Sequence, residues 1–251
     1  MSDATSLFGP RAGDYARSRP SYPEALFDEL AAGPLGLPPP ADVAEIGSGT
    51  GLFAEALLAR GYRVLAVEPN GPMREAAEKR LGGAPGFVSV DGRAEATALP
   101  DASADLVVAA QALHWFEREG ALAEMRRVAR PPRRALFVWN VGDRDASPFM
   151  REYHALACEF APGTAFNQDP SSFDALVASY AGGAERRDYR HEQPLDREGL
   201  VGRLRSAASA PKPGEPRDGE MRARLSALFD AHERAGRVAI AYRCVAYFAG
   251  L

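Results

Sequence analysis

A chain of 251 residues that is 46% hydrophobic can bury one large core but not two unrelated ones. Its 34 acidic and 30 basic side chains give a formal charge of −4, which argues against nucleic acid or an anionic membrane and leaves a small molecule as the expected partner. Cys158 and Cys244 lie far apart without a C-x-x-C spacing, no leader-like apolar core follows the N-terminus, and no apolar run approaches the roughly 18 residues that span a bilayer, so a soluble cytoplasmic protein without structural zinc is expected.

Beyond a polar leader, Pro23 opens a helix whose Leu26, Phe27 and Leu30 recur at helical spacing, and the stretch Gly33 to Pro40 closes it. Residues 1–40 therefore read as a cap outside the main sheet. An apolar strand at 42–46 then runs into Glu45-Ile46-Gly47-Ser48-Gly49-Thr50-Gly51 and a helix over 52–60. Glycines at alternate positions permit a tight turn and close approach to backbone N–H groups, beside the partial positive charge of a helix N-terminus. The sixth position of a G-x-G-x-x-G dinucleotide fingerprint falls on Leu52, so this loop is G-x-G-x-G, which suits a nucleotide-like ligand better than a pyrophosphate. Glu45 sets a carboxylate at its entrance, where a ligand ammonium could be met.

A second strand, 63–67, ends in Glu68-Pro69-Asn70, where an acid can accept hydrogen bonds from both hydroxyls of a ribose. Strands at 86–90, 104–110 and 134–139 alternate with helices over 71–81 and 118–130, which predicts a parallel sheet with right-handed crossovers. The basic run from Arg126 to Arg134 falls at a helix C-terminus, where cations complement exposed carbonyls. From 147 to 181 the alternation stops, and two amphipathic helices read as an insertion. Strands at 185–193 and 237–249, with helices over 196–208 and 217–235, complete a single domain spanning 1–251.

Together with Arg19-Pro20-Ser21-Tyr22-Pro23, Gly92-Arg93-Ala94-Glu95-Ala96-Thr97-Ala98-Leu99-Pro100, Gln111-Ala112-Leu113-His114-Trp115-Phe116 and Val138-Trp139-Asn140, the glycine loop and Glu68 give a family resemblance. The chain resembles the class I S-adenosylmethionine-dependent methyltransferases, and more closely their small-molecule branch, methyltransferase type 11. That resemblance implies an α/β fold, a doubly wound seven-stranded mostly parallel sheet of order 3-2-1-4-5-7-6 with strand seven antiparallel, covered by an inserted helical lid. It implies S-adenosylmethionine as cofactor and S-adenosylhomocysteine as product. Gly47, Ser48, Gly49 and Gly51 would surround the methionine part with Glu45 at the loop entrance, Glu68 would hold the ribose, Pro69 and Met73 would pack the adenine, and Ala94 and Glu95 would edge it. Gln111 would complete the cofactor site from strand four. Met73 has a competing reading as an ordinary helix-core residue. The turn Arg130-Pro131-Pro132-Arg133 departs from the Pro-Gly-Gly of relatives and leaves the local turn type open.

A sulfonium methyl is already electrophilic, so the protein mainly has to align an acceptor atom and exclude water. His114, beside a strand end, could act as a base toward a hydroxyl or amine; alternatively, His114 and Trp115 pack under the cofactor or cap the following helix. His154, His191 and His232 read as surface or packing residues, and no trio has metal-ligand spacing, so no metal is expected. The acceptor pocket is expected from Tyr15, Arg19 and Tyr22, the 147–181 insertion, the stretch Arg203 to Ser209, and the aromatic rings of Trp115 and Trp139. Arg19 and Arg205 could grip a carboxylate, although an ordinary surface ion pair is the more expected role for each. Methyl transfer to a small molecule at oxygen is the expected function; a cofactor-binding protein without transferase activity and an NAD-dependent oxidoreductase are the alternatives, and the oligomeric state is open.

Overall fold

A computed structural model describes residues 18–207 and 209–251. Helix α1 (Glu24–Ala32) follows Pro23 and buries Leu26, Phe27 and Leu30, the stripe its spacing predicts. The sheet comprises β1 (Asp42–Ile46), β2 (Arg63–Val67), β3 (Phe87–Val90), β4 (Ala104–Ala110), β5 (Ala129–Gly142), β6 (Glu185–Leu195) and β7 (Val238–Gly250), in the order β3-β2-β1-β4-β5-β7-β6. Strands β1 to β5 pair in parallel, and β7 runs antiparallel to both β5 and β6. This is the expected doubly wound topology.

The helices on the sheet are α2 (Leu52–Leu58), α3 (Gly71–Leu81), α4 (Arg118–Val128), α5 (Pro148–Phe160), α6 (Ser172–Tyr180), α7 (Arg197–Arg205) and α8 (Pro216–His232). Successive strand residues serve opposite layers, because side chains alternate across a sheet. Val43, Leu106, Leu136 and Val138 join α1 and α2 in one core, whereas Ala44, Val107, Phe137 and Trp139 join α4 and α6 in the other. With both faces covered, the central strands are almost continuously apolar. A third cluster unites α5, α7 and α8 with Ile240 and Tyr242 of β7.

Two expectations need adjustment. The sequence predicts the fourth helix to 130 and the fifth strand over 134–139, but α4 ends at Val128 and β5 begins at once, because Arg130 is drawn to Asp42 and Asp105 at the foot of the neighbouring strands. The 147–181 segment does not form one lid. Its first helix, α5, joins α7 and α8, while its second, α6, packs on the opposite face of the sheet beneath Trp139.

Within the basic run from 126 to 134, Arg127 and Arg130 are paired with carboxylates. Arg127 pairs with Glu124 and Asp101, and Glu124 also accepts from the N–H of Thr97 at 2.7 Å and its hydroxyl at 2.6 Å. These bonds tie the 94–99 loop to α4. The Arg127 guanidinium, aided by Thr97, holds the Glu124 carboxyl down at about 2. Glu124→Ala is expected to cost about 2–4 kcal/mol in chemical denaturation at pH 7, since it strands the Thr97 donors. Because the folded pKa is depressed, Glu124's contribution should be complete above its unfolded value near 4.5 and should disappear as pH falls through about 2.

Candidate cofactor and acceptor site

The C-terminal ends of β1, β2 and β4 converge at the point where strand order reverses, the usual place for a ligand in an open α/β sheet. The chain leaves β1 through three glycines in the left-handed region, Gly47 at φ +71°, Gly49 at +57° and Gly51 at +78°. The N–H groups of Gly47 and Ser48 both donate to the Val67 carbonyl, folding the turn onto β2. A Cβ on Gly47 would lie 2.7 Å from Ala112 Cβ, and one on Gly51 would lie 2.6 Å from Leu81 Cδ1. At Gly49 nothing approaches closer than Met73 Cε at 3.9 Å. Packing therefore requires the outer two glycines, whereas among the described residues only Met73 comes within 4 Å of a Cβ at Gly49. Gly49→Ala is accordingly expected to leave folding nearly intact, at about 1 kcal/mol for its left-handed backbone, while obstructing ligand approach; Gly47→Ala should destabilise by more, as paired denaturation and binding measurements would register.

Glu68 leaves β2 nearly buried, with Oε2 accepting from Gly49 N–H and Oε1 from Asn70 N–H, each at 2.8 Å. Each carboxylate oxygen retains a second lone-pair direction. The two amides thus orient the group while leaving it able to accept two hydroxyls. Asn70 caps α3 through its side chain, accepting from Met73 N–H at 3.1 Å. Sequence reasoning assigned Asn70 no role, although an Asn followed by Gly71-Pro72 is an N-cap signal. Met73 is buried and also edges the turn beside Gly49, so its core and ligand-facing readings are compatible. Pro69 is half-buried at the same corner.

Glu45 is 1% exposed. One interaction with Ala54 N–H, at the start of α2, steadies its carboxyl, yet burial and then the neighbouring Glu68 charge push its pKa up to about 8. Its Oε2 and the hydroxyl of buried Thr50 have no hydrogen-bond partner among the described residues. An orphaned acid and hydroxyl at the base of a glycine turn suit a ligand that brings an ammonium and further polar atoms.

Ala94 is buried, and Glu95 accepts from Glu117 N–H at 2.9 Å, fastening the 94–95 corner to the start of α4. Gln111 holds a left-handed φ of +61° and bonds β5 through its own N–H to the Val138 carbonyl and through Nε2 to the Asn140 carbonyl. It lines a small cleft with Arg19, Tyr22, Asn140 and Arg203. Arg19 donates to the Ser206 carbonyl at 3.0 Å, and Tyr22 meets Phe53 edge-on at 4.8 Å. Behind them, Arg203 Nε donates to Tyr242 OH at 2.6 Å, and Asn140 bridges the Ser21 carbonyl and His191. Asn140 and Arg203 were not singled out from sequence as individual site residues; both belonged to stretches marked as family motif or lid.

Two expected substrate contacts require correction. Trp139 is fully buried and stacked on Phe173 at 4.3 Å, so its ring belongs to the core. Arg205 is bound to Asp218 of α8 at 2.8 and 2.6 Å and is not part of the cleft lining. Trp115 is 47% exposed on the turn after β4, whereas Tyr15 lies outside the described residues. His114 occupies the same turn, with Nδ1 3.3 Å from Trp139 Nε1. Desolvation of the ring lowers its pKa to about 4 although the residue as a whole is exposed, and the imidazole is neutral at pH 7. Among the described residues no group of three His, Cys, Asp or Glu side chains could hold a metal, and no helix is long and apolar enough to cross a membrane.

Residues 44–137 match the family model described as a methyltransferase domain. An uncharacterised methyltransferase of Schizosaccharomyces pombe is 33% identical over 190 residues, which is 67% of this chain and 71% of that protein. The chain spans about half, 55%, of the length of the first curated relatives it matches. Among solved structures, a protein of Anaeromyxobacter dehalogenans provisionally assigned as a type II methyltransferase superposes with a TM-score of 0.66 at 25% identity, over 92% of this chain and 97% of that one. A methyltransferase of Geobacter sulfurreducens in complex with S-adenosylhomocysteine shares the fold over the full length of both chains, with a TM-score of 0.52 at 19% identity.

Proposed function

The chain belongs to the class I S-adenosylmethionine-dependent methyltransferases, and from that premise we propose that it binds S-adenosylmethionine over the glycine turn and methylates a small molecule at oxygen. The observation that carries the reading is the Glu68 carboxylate, fixed by Gly49 and Asn70 with lone pairs to spare beside Gly49. Ribose hydroxyls would satisfy those lone pairs, and the Glu45 carboxyl, sealed beneath the turn, would favour the ammonium of the methionine part through its charge and not by direct contact. Met73, Pro69 and Ala94 supply the apolar surface for an adenine. The bound complex of the Geobacter protein supports the same ligand class here.

When bound, the cofactor supplies a methyl group made electrophilic by its sulfonium. The chain's task is then to position an acceptor and keep water out. The cleft beside Gln111 and Asn140, with Arg19, Arg203 and Tyr22 on its walls, is small and polar and favours a small acceptor at its edge over a polynucleotide, which would need a long cationic groove.

Calorimetry with S-adenosylmethionine, S-adenosylhomocysteine and NAD tests the cofactor; tight NAD binding without response to either adenosyl ligand would replace the reading with an oxidoreductase. Incubation with methyl-labelled cofactor and cell extract tests the transfer. Label is expected in the small-molecule fraction, and its absence from every fraction would favour a protein that binds the cofactor without using it.

A further inference from the structure

We propose that Trp139 sets the protonation form of His114, so that this imidazole serves the methyl-transfer site as a neutral donor through Nε2–H and does not act as its base. The inference rests on the methyltransferase reading for its significance but not for its test.

An indole N–H can donate and never accept. Trp139 is completely buried, and His114 Nδ1 is the acceptor of its N–H, at 3.3 Å. Losing that acceptor would strand a buried donor, so Nδ1 keeps its lone pair. A neutral imidazole carries one proton, which must then sit on Nε2. Protonating the ring would set one N–H against another. Trp139 cannot swing aside to relieve this, because it is stacked on Phe173 with the planes 15° apart and lies edge-on to Tyr247 at 6.0 Å. Packing therefore aims the indole N–H. Partial desolvation of the ring acts in the same direction in this exposed residue, and no charged group among the described residues contributes to that shift.

The placement gives this state a function. His114 lies on the Leu113–Trp115 turn at the end of β4, and Ala112 of the same segment abuts the glycine turn at Gly47. At that position Nε2–H can bind an oxygen lone pair but cannot take a proton. An acceptor met by this ring would have to arrive with its nucleophile ready, as an ionised carboxylate does, because the ring cannot deprotonate an alcohol. A carboxylate oxygen takes the methyl with its own lone pair, the departing sulfur keeps the electrons of the broken C–S bond, and no proton changes hands.

Long-range proton–nitrogen correlation spectra of histidine-labelled protein, recorded without cofactor or acceptor, test the proposal. His114 is assigned as the resonance missing from His114→Gln. The wild-type ring is expected to show the Nε2–H pattern at pH 7 and to remain neutral down to pH 5. In Trp139→Phe, the freed Nδ1 should allow mixed tautomers and raise the titration midpoint, short of the ordinary value of about 6.5 because desolvation of the ring remains. An Nδ1–H pattern or a midpoint near 6.5 in the wild type overturns the proposal, as does a Trp139→Phe spectrum identical to it. If the variant does not fold, the wild-type tautomer and midpoint decide alone. Failure of adenosyl ligands to bind would instead count against the cofactor reading, and the two failures are separate observations.

Discussion

Replacing Glu68 by alanine is expected to weaken S-adenosylhomocysteine binding by about 10²- to 10⁴-fold in calorimetry. The magnitude follows from two charge-assisted hydrogen bonds to ribose, each worth roughly 1.5–3 kcal/mol in a nearly water-free corner. The same carboxylate holds Gly49 N–H and Asn70 N–H at 2.8 Å, so its removal also loosens the glycine turn and the start of α3. Thermal unfolding of the ligand-free variant separates these effects. A large affinity loss with a modest stability loss supports a ribose-binding carboxylate, whereas an affinity change below tenfold would remove Glu68 from the ligand site.

The second large effect concerns Glu45 and pH. Burial and the Glu68 charge push the pKa of this acid up to about 8, and only Ala54 N–H favours its ionisation. Arg74, the nearby cation, donates to the Glu68 carbonyl and does not appear among the groups acting on Glu45. A cationic ammonium near Glu45 stabilises the carboxylate, so binding should release one proton. Cofactor affinity is expected to rise about tenfold per pH unit between pH 6 and 8, roughly 10²-fold in all, and to level off or fall above 8 as an α-amino group itself loses its charge. Calorimetry in buffers of different ionisation enthalpy counts the proton. Glu45→Gln should flatten the profile below pH 8. An affinity independent of pH in the native protein would show that no proton leaves Glu45 on binding. For folding stability without the cofactor the sign is reversed: a carboxyl whose folded pKa is raised contributes stability below its unfolded value near 4.5 and loses that contribution as pH rises through about 8.

Features set by short stretches of sequence were legible before the structure. The glycine turn, Glu68 and the alternating strands and helices follow from backbone conformation, strand-end chemistry and apolar periodicity within a few residues. Side chains whose partners lie far along the chain were not. Arg205 meets Asp218 across the α7–α8 connection, and Trp139 meets Phe173 of a helix that composition alone would place in a lid. Nor does amphipathicity say which face of a sheet a helix covers, and that is why the 147–181 insertion divides between two layers. The early start of β5 depends on Arg130 reaching Asp42 and Asp105, a pairing between three separate strands. Family likeness supplied the sheet order that periodicity left undetermined.

The sheet order also constrains how the protein can be made. Strand β7 lies between β5 and β6, so residues 185–195 leave a ribosome before their only neighbour in the sheet has been synthesised. Until 238–250 arrives, the nascent chain carries an unpaired strand beside an unfilled gap next to β5. Arg186, Arg187, Arg190 and Pro194 make that waiting strand a poor template for pairing with another chain. Closure of the β5-β7-β6 half thus waits for residues 238–250, whereas the strands that carry Glu45 and lead into Glu68 and Gln111 can assemble earlier, around β1 and β4.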